Sequence, residues 1–289
     1  MLQKLEERNT LIDSVLAATP SARVERLRDD YLKPELVASI AREHIEVKVL
    51  KETEGEETVV RRAMVFAAVV REMPVEIFED ELIVGWFDYE PHGIPLSVKS
   101  DPGLDSRLDV LMSRERNPVT ITDEQQRILR EEIMPYWRGD GKHLLRRNDS
   151  TYDNPPVPEI RDLMYFDGSE RPNGIINTSR QKDGHVGHTI NNNQKVFDKG
   201  FLGIKKDAED RLARLDLSDP DELKKAPFLK GVVIAMEAVS ELGGRFADRA
   251  RELAETASDP ARKEELLEIA KVCDWIPANP ARTFHEAIQ

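Results

Sequence analysis

Cysteine is almost missing from this chain: Cys273 stands alone among 289 residues. That count excludes an intrachain disulfide and a cysteine-built zinc cluster, and it suits a reducing compartment. Positive charge is also in short supply. Lys and Arg number 42 against 55 Asp and Glu, for a formal net charge of -13. An acidic surface repels phosphate backbones and anionic lipid, so neither nucleic acid nor membrane is expected as a main partner. Nothing approaches the ~18 consecutive apolar residues of a membrane span. The opening stretch MLQKLEERNTLIDSVLAATP is charged and lacks the apolar segment of a secretory signal. No G-x-x-x-x-G-K-[ST], G-x-G-x-x-G or G-x-S-x-G occurs, so the phosphate-loop, dinucleotide and serine-hydrolase signatures are missing too. The expectation is a soluble, cytoplasmic protein of one large or two small domains, long enough to bury a real core.

Helical patterning dominates what is there. Residues 22–50 are charge-rich, with apolar side chains at Val24, Leu27, Tyr31, Val37, Ile40, Ile45 and Val49, and read as helical. A second helix is expected from Val59 to Arg71, ended by Pro74. The best strand candidate is EDELIVGWFDYEP, made short or irregular by Gly85 and Pro91. Thr122 and Gln125 then form a capping-box signature before Ile128, Leu129, Ile133 and Met134, and Pro135 is expected to end or kink that helix. Residues 138–187 read as a long loop rich in Gly, Pro and Asn, which in a compact domain points to function or disorder.

The last hundred residues carry the clearest helices. Phe197, Phe201, Ile204, Ala208, Leu212 and Leu215 mark one. Two more open on "SDP", with Asp219 and Asp259 as caps and Pro220 and Pro260 at the first helical position. The first of these is expected to be long, and Gly243-Gly244 inside it points to a close helix crossing or a kink. Finally, Thr283 and Glu286 announce a helix that only a few residues follow. That unfinished element suggests part of something longer.

One run concentrates the candidate chemistry. DGHVGHTINNNQKVFDKGFLGI, residues 183–204, holds His185 and His188 as H-x-x-H, with glycines that favour a loop. Three readings stay open: a metal site, which needs further ligands; histidines bonded only to backbone; or a substrate loop, where glycine permits close approach and imidazole can donate or accept. The first would make the protein a metal-dependent hydrolase. Cys273, on a helical stripe with Leu266 and Ala270, reads as a buried structural thiol rather than a nucleophile. The EGEE and EDE runs read as solvated turns, and Trp86, Phe87 and Tyr89 as core.

Four stretches taken together carry a family resemblance: RRAMVFAAVVREMPVEIFEDELIVG, the helix ending MPYW, GHTINNNQKVFDKGFLGIKKDAEDRL, and SDPARKEELLEIAKVCDWIPANPARTFHEAIQ. In that order and spacing the chain resembles the N-terminal portion of the glycyl radical enzymes, the pyruvate formate-lyase superfamily. The resemblance implies a mainly α structure with a few short strands: the outer helical N-terminal part of a ten-stranded α/β barrel, with the barrel itself largely absent. Within 1–289 it implies helices over 1–75, irregular or strand structure over 76–120, a helix and long loop over 121–190, and helices over 191–289.

It further implies anaerobic radical chemistry. A protein glycyl radical, installed by a radical S-adenosylmethionine activase, passes to a cysteine that abstracts a substrate hydrogen. A lyase, dehydratase, decarboxylase or formate C-acetyltransferase-like reaction follows on a small organic substrate, in a homodimer. No stretch here matches the thiyl-cysteine segment or the glycyl loop, and Cys273 is similar to a residue of the helix before PARTF. The chain is therefore expected to bind no cofactor and to have no turnover alone. A C-terminal half supplied in trans would make it a non-catalytic helical subunit. The G-H-T-I stretch is similar to a segment lining the substrate pocket, which makes His188 a substrate-binding candidate, then His185. Where pyruvate formate-lyases look to have arginine, His188 leans toward a dehydratase, decarboxylase or other lyase. Asn191, Asn192 and Asn193 stand where the family commonly has Pro-Asp and an aromatic. Asn192 can cap and bind but cannot act as a base.

Overall fold

The computed structural model describes residues 21–32, 36–86, 88, 93–98, 104–115, 117–138 and 192–289. The chain divides into two compact units, Met1–Pro34 and Glu35–Gln289. The described part of the first is helix α1 (Ala22–Tyr31), opened by Ser21, whose hydroxyl accepts from the Val24 N–H. Its charged sequence follows the expectation, but the helix stops at Tyr31.

In the second unit, the residues expected to continue that helical run instead form a strand. β1 (Leu36–Ser39) is the middle of a parallel three-stranded sheet, between β2 (Gly93–Pro95) and β3 (Val119–Thr120). Val37 sits opposite Gly93 on one side and opposite Thr120 on the other. Val37 therefore belongs to a strand and not to a helical stripe, because a four-residue strand is too short to display its own period, and Ile40 is the residue that precedes the next helix. α2 (Ala41–Glu52), α3 (Thr58–Glu72) and α4 (Leu104–Ser113) accompany the sheet.

The capping box at Thr122 forms as expected and opens α5 (Asp123–Ile128). Gln125 accepts from the Thr122 N–H at 2.9 Å, and its amide nitrogen donates to the Ala38 carbonyl on β1 at 2.8 Å. One side chain thus starts a helix and ties it to the sheet. Pro135 neither ends nor sharply redirects the chain. A π-helical segment (Leu129–Ile133) precedes it, and α6 (Met134–Arg138) continues beyond. Proline has no N–H for the usual bond to the carbonyl four residues back, and the Met134 N–H reaches five residues back, to Leu129. The widened turn buries Leu129 and Ile133 completely, in one core with Ala38, Leu108, Val119 and Trp137.

The EDELIVGWFDYEP strand does not form over its described residues, 79–86 and 88. The backbone N–H and carbonyl of Val84 are met instead by the side-chain amide of Gln289, at 2.8 and 2.6 Å. Nor is EDE a freely solvated turn. Glu81 accepts from the Phe78 N–H at 2.9 Å, and burial pushes its carboxyl above the ordinary range. EGEE is exposed as expected.

Helices α7 (Asn193–Leu212), α8 (Pro220–Leu223), α9 (Ala226–Thr256), α10 (Pro260–Cys273) and α11 (Phe284–Ile288) make up the rest. Asp219 and Asp259 cap as read. The first "SDP", however, opens only the single turn of α8, and the long helix restarts at Ala226. α9 is continuous through Gly243, which is a crossing and not a kink. A Cβ there would lie 2.2 Å from the Ile276 carbonyl oxygen and 2.5 Å from that of Cys273. Gly231 plays the milder part where α9 meets Val59 and Ala63 of α3.

Arginines close the loose ends. Arg245 donates to the Val70 and Met73 carbonyls at the end of α3, Arg61 to Leu50 at the end of α2, and Arg262 to Phe78 and Glu81. Each meets helix-end or loop carbonyls that have no intrahelical donor. Among the described residues the structure is mostly helical with one small parallel sheet and no closed barrel, as expected. No helix among them is long and apolar enough to cross a membrane.

Candidate functional site

Of the three predicted site residues, Asn192 lies within the described structure; His185 and His188 lie outside it, as does the long loop beyond Arg138, which itself ends α6. Asn192 is exposed and is the N-cap of α7. Its side-chain oxygen accepts from the Lys195 N–H at 3.2 Å. That satisfies one of the four N–H groups a helix start leaves open. The capping expectation thus holds, and with it the reading of the asparagines as a helix entry.

α7 is not the single regular helix the sequence suggested. Gly200 adopts φ 62°, ψ 175°, a glycine-only conformation, and divides it. Beyond the break, the Phe201 and Leu202 N–H groups donate to the Pro277 and Ala278 carbonyls, at 3.1 and 3.0 Å. The break therefore depends on a turn more than seventy residues later, and no periodicity within residues 192–212 announces it.

That turn is firmly built. The Asn279 N–H and side-chain amide both donate to the Trp275 carbonyl, at 3.0 and 2.9 Å. The Trp275 indole N–H donates to Pro280 at 2.7 Å. The Arg282 guanidinium lies 4.1 Å from the centre of the Trp275 ring and pairs with the buried Glu286 carboxylate at 2.6 Å. Arg282 holds that carboxylate below its ordinary range. Thr283 caps Glu286 at 3.1 Å, as the sequence announced. The return bond differs, because the carboxylate accepts from the Arg282 N–H rather than from the cap's own.

Cys273 is buried, and burial pushes its thiol up to about 12. A thiol so reluctant to ionise is no nucleophile, which agrees with the structural role. Trp86 stacks edge-on with Phe78, its ring centre 6.2 Å away, and its buried indole N–H finds no acceptor among the described residues. Among the described residues, no three His, Cys, Asp or Glu side chains are placed to hold a metal together. A groove of about 400 Å³, lined by Lys51, Arg61, Pro135 and Tyr136 among others, contains none of the predicted residues.

The four stretches that suggested a family are thus spread through one helical structure whose last helices share a turn. Residues 17–289 match the pyruvate formate lyase-like family, and the chain belongs to it. Its relatives are glycyl radical enzymes. Isethionate sulfite-lyase of Oleidesulfovibrio alaskensis is 34% identical over 249 residues, covering 83% of this chain and 28% of that protein. The glycerol-bound B12-independent glycerol dehydratase from Clostridium butyricum superposes with a TM-score of 0.80 at 28% identity, over 93% of this chain and 33% of that one. A glycyl radical enzyme from Archaeoglobus fulgidus gives a TM-score of 0.75 at 29% identity, over 92% and 32%. The chain spans about a third of the length of the relatives it matches.

Proposed function

We propose that this chain is the N-terminal part of a glycyl radical lyase or dehydratase and forms one wall of its substrate site, without turnover of its own. One observation carries the reading: residues 17–289 match the family, yet cover about a third of its lyase and dehydratase members.

In the assembled, cytoplasmic enzyme, a protein glycyl radical installed by a radical S-adenosylmethionine activase supplies hydrogen abstraction. The residues of this chain bind and orient. His188 hydrogen-bonds a hydroxyl or acidic group of a small organic substrate, His185 assists, and Asn192 holds the helix entry and offers its amide to the substrate. The assembly is a homodimer, whether the remaining two-thirds follow in the same chain or are supplied in trans.

The test joins this chain to the C-terminal two-thirds of a relative, activates the product, and measures turnover of isethionate and glycerol. The isolated chain is expected to be inactive. His188→Ala in the assembled enzyme is expected to lower kcat/KM about tenfold or more, the loss of a single oriented hydrogen bond. Turnover by the isolated chain would overturn the dependence on further protein. Unchanged kcat/KM in His188→Ala would overturn the histidine's role.

A further inference from the structure

Between Asn192 and Gly200, α7 has little to rest on among the described residues. Residues 192–195 and 197–199 are exposed, and Val196 alone is partly covered. Among the described residues its side-chain links are few: Gln194 bonds Asp198 at 2.8 Å within the segment, and Lys199 reaches Asp207 across the break at 2.6 Å. The segment is therefore held by its far end, and that end is Gly200.

Two features make Gly200 a fixed joint. A Cβ there would lie 2.3 Å from the Ala278 carbonyl oxygen and 2.5 Å from the Asn279 carbonyl carbon. Those are backbone atoms in a turn locked by Trp275, and they have nowhere to move. The same turn is gripped from its other side by Gly243 of α9, against Ile276 and Pro277. An unbroken helix would satisfy the Phe201 and Leu202 N–H groups within itself. Giving up those bonds for two carbonyls of a distant turn gains nothing for the helix. What it does set is the direction in which residues 193–199 leave the bundle. A glycine kept in a conformation closed to other residues, where a regular helix was available, points to function.

We propose that Gly200, seated on the Pro277–Asn279 turn, is a positioning residue for the substrate wall: it fixes where the Asn192 end of α7 stands. The inference rests on the reading of Asn192 as part of that wall. It touches no substrate itself and acts through the segment it aims.

Pulsed electron spin resonance between spin labels tests it in the 289-residue chain, with labels on Lys195→Cys and Lys263→Cys, or on Lys206→Cys and Lys263→Cys. All three lysines are exposed, and the buried Cys273 does not compete for label. Gly200→Ala is expected to shift or broaden the 195–263 distance by several ångströms and to leave the 206–263 distance in place. Should that variant fail to fold, Phe201→Pro decides. It deletes the N–H donated to Pro277 yet keeps a residue suited to a helix start, after a glycine whose ψ of 175° leaves room for the proline ring. Unmoved distances in the folded variants overturn the positioning role, and so does equal movement of both pairs, which would mean general loosening. In the assembled, activated enzyme, KM for the turned-over substrate is expected to rise about tenfold while kcat falls less. A moved segment with unchanged KM overturns the substrate wall itself, so the two failures are distinguishable.

Discussion

The sheet region, residues 36–138, and the helical region, residues 192–289, build their cores in opposite ways. Around the sheet the interior is filled by bulk: Leu108, Leu129 and Ile133 are 0% exposed, and Met134, Tyr136 and Trp137 close around them. In the helical region the most buried positions are small. Ala238, Ala247 and Ala250 are 0% exposed, and Gly231 and Gly243 sit where helices meet α3 or the 276–277 turn. The first core depends on volume being present and the second on volume being withheld. A change of side-chain size should therefore carry opposite consequences in the two regions.

The largest effect is expected from removing volume at the sheet. Ile133→Ala should cost about 4 kcal/mol, the transfer of the lost carbons plus the cavity they leave. Denaturant unfolding of the whole chain would measure it. A loss below about 1 kcal/mol would mean that the π-helical turn collapses to fill the space, and the contrast would fail on this side. Adding volume in the helical region comes next. Gly243→Ala should cost about 3 kcal/mol, because its Cβ meets two carbonyl oxygens of the backbone. Its neighbour supplies the control. Nothing lies within 4 Å of a Cβ at Gly244, so Gly244→Ala should stabilise by up to about 1 kcal/mol, as alanine does in a helix interior. Equal effects at the two glycines would break the comparison.

A smaller loss is expected where the helical region reaches toward α3 through polar atoms. Arg245→Met keeps an unbranched apolar stem but strands the Val70 and Met73 carbonyls. It should cost about 2 kcal/mol, less if water reaches those oxygens. Hydrogen exchange at the last turn of α3 would localise the effect, and uniform loosening of the chain would speak against a local cap.

The same contrast explains what the sequence disclosed. The capping box at Thr122, the caps at Asp219 and Asp259 and the burial of Cys273 all follow from residues within a turn or two of each other, whereas at Gly243 the choice between crossing and kink is made by Cys273 and Ile276, some thirty residues on. β1 is no more local, because its partners at Gly93 and Val119 lie dozens of residues on. The Val84 segment had the composition of a strand, but a single glutamine side chain takes the place of a neighbouring one. At the candidate site, Asn192 was legible as a cap because capping is local. The break at Gly200 was not, since its acceptors belong to the 277–278 turn. A glycine next to Phe201 and before Gly203 reads as one more tolerated helix glycine. Only the distant turn shows why no other residue fits.

The smallest expected effect concerns charge instead of volume, and it separates the last turn from the rest of the helical region. Glu286 is buried, yet Arg282 binds its carboxylate through both side chain and backbone and holds its proton affinity down. A carboxyl whose folded pKa lies below its unfolded value stabilises the fold above the unfolded value. That contribution is lost as pH falls toward the folded one. The chain should therefore weaken on acidification below the ordinary glutamate range of about 4.3, partly through this pair. Glu286→Gln removes the titration while retaining an acceptor for the Arg282 N–H. Its stability at neutral pH should drop, and its stability-against-pH curve should be flatter than the parent's on the acid side. Urea midpoints at stepped pH would show the two curves converging in acid. Parallel curves would mean that Glu286 keeps an ordinary proton affinity, and that the turn seating Gly200 is held by the Trp275 and Asn279 bonds without help from the ion pair.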